Sequence, residues 1–182
     1  MANSKALNQG VIQSTDATQL LEGCVRSIEQ CGQLLQLISA EAYVDSSRGT
    51  SSVGAHIRHI LDRFHCFLAG MPAGSIDYDA RKRDKSIENN LDVATSALVS
   101  VGRRIETLLA LDDLGTLITV RESVHHQGPA VTMTSTVGRE LMGLVTHSIH
   151  HLAIIALIVK SYGYEMDSDF GKAASTILYE RA

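Results

Sequence analysis

The chain has 182 residues, of which 45% are hydrophobic and 20% charged. That suits one domain, with a core large enough to fold without disulfide or metal staples. The formal net charge of −4 provides no electrostatic footprint for nucleic acid or an anionic membrane.

Residues 1–13 read as a loosely held tail on a single domain spanning 1–182, with no apolar stretch of the signal-peptide kind. Helical periodicity begins near Asp16. Leu20, Leu21, Cys24, Val25, Ile28, Cys31, Leu34, Leu35 and Ile38 recur at three- and four-residue spacings. The segment SSRGTSS breaks this pattern and supplies capping hydroxyls. A second helix is expected from about Val53 to Ala69, with Ile57, Ile60, Leu61, Phe64 and Leu68 on one stripe. Gly70 to Asn90 reads as a long connection, of a length more often functional or mobile than a minimal turn. A third helix fits Leu91 to Leu111. TLITVRESV and AVTMTSTV are rich in Thr and Val and flank HHQGP, the pattern of a β-hairpin with a Gly-Pro loop. Such a hairpin is expected as an ornament outside the core. A fourth helix is expected after Thr136, reaching about Tyr162 and ending on Gly163. FGKAASTILYERA closes the chain as a short packed segment. Prolines stand only at 72 and 129, so little interrupts the helical stretches. Together these patterns predict an all-α fold, a four-helix bundle with a small β-hairpin inserted before the last long helix.

Cys24, Cys31 and Cys66 lack close metal-type spacing. Cys24 and Cys31 are separated by roughly 10 Å along a helix axis, beyond disulfide reach. They read as reduced thiols of a cytoplasmic protein. The longest apolar run, Leu152 to Val159, falls short of the ~20 residues of a membrane helix, so no span is expected.

The last long helix contains GLVTHSIHHLAII, which sets His147, His150 and His151 in the most apolar part of the chain. Residues four apart on a helix project about 40° from one another. His147 and His151 therefore share a face and form a natural clamp for a divalent metal, while His150 turns towards the polar side. This is not the zinc-protease motif, because Ser148 stands where that motif needs Glu. Glu140, seven residues before His147, lies on nearly the same face. It reads either as an acceptor or distant acid/base for the site, or more plainly as a first-turn acid favoured by the helix dipole.

A catalytic metal typically takes three protein ligands and keeps one position open, so a third ligand is needed. HIRHILDRFH offers His56, His59 and His65. His59 falls off the apolar stripe of its helix, and periodicity leaves the choice between His56 and His59 open. In the long connection, Tyr78, Arg81 and Arg83 are candidates to hold an anionic substrate or the carboxylate of a thiol, although RKRDK reads more plainly as a solvated charge run. Arg121 is a similar, weaker candidate. His125 and His126 are expected to be exposed in the hairpin loop. His65 and Cys66 are adjacent, so they point apart on a helix and make a poor pair.

The segments SSVGAHIRHILDRF and GRELMGLVTHSIHHLAIIALI resemble the DinB/YfiT-like family of metalloproteins, the damage-inducible family rather than the DNA polymerase sharing its name. IDYDARKRD and FGKAASTILYE look like one branch of it. The resemblance implies a four-helix bundle with a three-histidine metal site. One ligand is a His followed by two apolar residues and Asp, which His59 matches through Ile60, Leu61 and Asp62. The other two are the first and final histidines of an H-x-x-H-H run, matched by His147 and His151. Imidazole ligands suit a divalent ion, zinc or nickel first and iron also. The resemblance further implies a small-molecule substrate, a thiol-dependent S-transferase using a low-molecular-weight thiol or else a hydrolase, and a homodimer. The alternative is a non-catalytic metal-binding or dimeric interaction protein.

Overall fold

The computed structural model describes residues 3–47, 51–110 and 113–182, with side chains described over 16–47, 51–108 and 113–182. The helices are α1 (Asn3–Leu37), α2 (Ala40–Val44), α3 (Val53–Gly70), α4 (Lys85–Asn89), α5 (Leu91–Glu106), α6 (Val137–Ser161) and α7 (Ala174–Glu180). The strands are β1 (Ser75–Asp77), β2 (Leu117–Glu122) and β3 (Val131–Thr136). The tail expected over 1–13 falls on residues whose side chains lie outside the description.

Side-chain caps set the helix starts. Ser52 accepts a hydrogen bond from the Ala55 amide, Asn90 from those of Asp92 and Val93, and Thr136 from that of Arg139. Each cap sits just ahead of an apolar periodic run, which is why these three starts coincide with the expected ones. α5 ends at Glu106 and continues as a 3-10 turn over Thr107–Ala110, short of the expected Leu111, which lies outside the described residues.

α1 and α3 each pack against both α5 and α6. The space between them is filled by Leu21, Cys24 and Leu34, by Ile57, Leu61 and Phe64, by Leu98, Val101 and Ile105, and by Leu141, Leu152 and Ile155. The cysteines are free thiols, and burial pushes Cys24 and Cys31 up to about 12.

The expected all-α four-helix bundle is corrected by the rest of the chain. The described residues contain seven helices and a three-stranded mixed sheet, so the fold is not a simple four-helix bundle. The long connection is not a plain loop. It holds a 3-10 turn at Met71–Ala73, then β1, then α4. β1 pairs in parallel with β2, aligning Ile76 with Val120, and β2 pairs antiparallel with β3, aligning Ile118 with Ser135. Ile76 and Ile118 are buried and join the main core, so the hairpin is a wall of the domain rather than an ornament. Gly70 permits this. A Cβ there would fall within 2.8 Å of the Ile76 Cα, so only glycine lets the end of α3 lie against β1.

Among the described residues, α6 is the one helix long and apolar enough to cross a membrane by length and composition. The continuous run Leu152–Val159 understated this, because α6 is apolar well beyond it. Here α6 packs against α1 and α3.

Candidate metal centre

α3 presents a second, half-buried stripe beside its apolar one. His56, His59, Arg63 and Cys66 follow at spacings of three, four and three, so they share one face of the helix. That face meets the stripe of α6 that carries Glu140, His147 and His151. His59 is off the apolar stripe because it belongs to this polar seam between the two helices.

His59, His147 and His151 converge. One potential ligand atom from each lies within 4.8 Å of the others. Their ring centroids are 4.8 Å apart for His59–His147, 4.7 Å for His59–His151 and 4.6 Å for His147–His151. Nε2 of His147 is buried and has no hydrogen-bond partner. An unpaired buried imidazole nitrogen is costly, and an ion shared with its neighbours would satisfy it. The donor set is three imidazoles, a combination suited to zinc, nickel or iron. The residues therefore fit a divalent metal.

The histidines are held neutral. Burial, followed by the charges of Arg81 and Arg58, brings His59 down to about 4. Burial and then Arg63 bring His147 to about 4. Burial and then His147 and His59 bring His151 to about 3. Neutral imidazole is the ligating form, so protons do not compete for these nitrogens near pH 7.

His56 stands next to the cluster. Its Nδ1 lies 2.9 Å from Nδ1 of His151, so one of the two nitrogens carries the proton. When His151 donates, its Nε2 lone pair remains available. Of the two histidines that periodicity left open, His59 converges with His147 and His151, and His56 lies against His151. His150 is exposed, with its ring 5.1 Å from that of His151.

The other candidates separate. Arg81 is at the site, with Nη1 3.3 Å from Nδ1 of His59. Arg83 is exposed. Arg121 pairs with Asp77 at 2.8 Å on the sheet surface. His125 and His126 are exposed. His65 lines a cavity of about 540 Å³ with Cys66, Asp62, Ala80 and Lys82, and none of the triad histidines lines it. A larger cavity of about 1040 Å³ runs along α1 past Glu22, Arg26 and Asp169, also without the triad.

Tyr78 is buried, and its hydroxyl is engaged within the protein rather than presented to an anionic substrate. Its hydroxyl donates to Glu140 Oε2 at 2.8 Å, and Ser135 Oγ donates to Glu140 Oε1 at 2.6 Å. Glu140 thus ties β3 and the residue after β1 to the start of α6. Each of its oxygens is engaged, so it acts as a fixed acceptor. Arg63 was not singled out from the sequence. Its guanidinium lies 3.6 Å over the Tyr78 ring and pairs with Glu122 of β2. The signal was its place four residues after His59, on the same helical face.

Comparison with known proteins finds no matching family model and no matching curated protein.

Proposed function

We propose that His59, His147 and His151 bind one divalent metal ion, zinc or nickel first and iron as the further option, in a metal-dependent enzyme of the thiol S-transferase or hydrolase class. The observation that carries this reading is the convergence of three neutral imidazoles, with a buried, unpartnered Nε2 on His147. The resemblance of the two histidine segments to the DinB/YfiT-like family supports the same ligand set. It also supports a small-molecule substrate.

A metal held by three imidazoles keeps its full 2+ charge, which favours deprotonation of a water or a thiol. The chain's own residues do the rest. The α3–α6 seam keeps the imidazoles unprotonated and close together. His56 orients the His151 ring through its Nδ1. Tyr78, Ser135 and Glu140 pin the sheet to α6 and so fix the wall beside His147. Buried free thiols at Cys24 and Cys31 suit a reducing, cytoplasmic setting.

The test is metal content after purification without a histidine tag. Wild type is expected to retain about one ion per chain, and the His59→Ala/His147→Ala/His151→Ala protein almost none. Equal metal in both would refute the site. Metal retention without turnover of thiol or ester substrates would favour a non-catalytic metal-binding protein.

A further inference from the structure

Arg81 has an unusual position. Its guanidinium Nη1 approaches Nδ1 of His59, and its buried Nε has no hydrogen-bond partner. Among the described residues no carboxylate lies within ion-pair distance of it. The Nε of Arg63 is likewise buried and unpartnered, although its Nη1 holds Glu122. Both guanidinium charges bear on His59 and on His147. Two unspent N–H donors and one unpaired positive charge therefore stand beside the histidine triad.

A guanidinium can only donate, so the Arg81 contact requires a lone pair on His59 Nδ1. A neutral imidazole then carries its proton on Nε2. A metal on Nδ1 displaces the guanidinium directly. A metal on Nε2 moves the proton to Nδ1, where it meets another donor. Either way, the Arg81–His59 contact and a metal on His59 exclude each other. Loading the site frees Arg81 next to a 2+ ion, and the local charge then calls for an anion. Carboxylate is the acceptor whose geometry matches a guanidinium fork.

From this geometry we infer that the site takes a carboxylate-bearing small molecule, its anionic end held by Arg81 with support from Arg63 once metal has displaced Arg81 from His59. This inference rests on the metal reading of the triad. It adds a substrate class and an order of binding, metal before anion.

Cobalt-loaded protein tests it, because the visible spectrum reports ligands reaching the metal. Mercaptoacetate and 2-mercaptoethanol are small primary thiols with and without a carboxylate. Wild type is expected to prefer mercaptoacetate by at least about tenfold. The preference should shrink markedly in Arg81→Met and in Arg81→Gln, the second variant guarding against a folding defect in the first. Comparing variants cancels both the differing acidity of the two thiols and any chelation of the metal by the carboxylate. Zinc titration of the free protein should show tighter binding to Arg81→Met than to wild type, by several-fold. Failure of cobalt to bind wild type overturns the metal reading and this inference together. Cobalt binding with an undiminished preference in both Arg81 variants, or with no preference in wild type, overturns this inference alone.

Discussion

His147 carries the sharpest local test, because its Nε2 is buried with nothing to bond. Removing a group that is already unsatisfied forfeits little folding energy. His147→Ala is therefore expected to abolish metal retention while changing the stability of the metal-free protein by no more than about 1 kcal/mol. Metal analysis paired with urea denaturation separates the two effects, and a variant that keeps its metal would contradict the ligand role. The same residues set a pH dependence. His59 and His147 lie at about 4 and His151 at about 3, all below their ordinary 6.5. Between those values the unfolded chain holds more protons than the folded one, so stability rises with pH across the window. Metal-free protein should lose stability as the pH falls from about 6.5 towards about 4. A urea midpoint that stays constant or rises on acidification from pH 7.5 to pH 5 would be incompatible with these depressed histidines.

At the scale of the element, α3 is constrained on several sides. One face joins the core, a second carries His56, His59 and Arg63, and its first turn presses on α4. A Cβ on Gly54 would run into the carbonyl oxygen of Glu88 and lie 2.9 Å from Cε1 of Tyr43. Backbone cannot yield as a flexible side chain can, so Gly54→Ala should cost about 3 kcal/mol, measurable by thermal or urea unfolding. A neutral outcome would contradict the close packing of α4 on the first turn of α3. Nearby, Arg58 bridges Asp62 at 2.6 Å and Glu88 at 2.8 Å. This network lies on the α4 side of α3, so Asp62, next in the His-x-x-Asp spacing, braces helix packing through Arg58.

For the whole molecule, the sheet decides how the domain holds its site. Ile76 and Ile118 bury the sheet's inner face against the helices, and the Arg63–Glu122 and Tyr78–Glu140 contacts connect that sheet to both histidine helices. Ile118→Ala should therefore cost about 2–4 kcal/mol within a single cooperative transition followed by circular dichroism and tyrosine fluorescence. Were the hairpin an ornament, the substitution would leave the transition unmoved, or the sheet would melt separately.

Much of the helical skeleton was legible in the sequence, because caps and apolar period are local properties. Ser52, Asn90 and Thr136 each precede a 3.6-residue pattern, and the starts of α3, α5 and α6 follow from that alone. The pairing of His147 with His151 is equally local, set by 100° per residue. The fold class was not legible. β1 is three residues long, too short to show alternation, and its parallel pairing with β2 bridges positions more than forty residues apart, as in Ile76 with Val120. Helix periodicity likewise ranked His59 as a misfit, since it measures one apolar stripe and cannot see which neighbour receives a second, polar one. Local spacing by itself determined where the helices begin and which two histidines share a face. Only the tertiary structure decided that α3 turns His59 and Arg63 towards α6, and that the chain after β1 brings Arg81 to His59, because those contacts depend on how distant segments pack rather than on any local pattern.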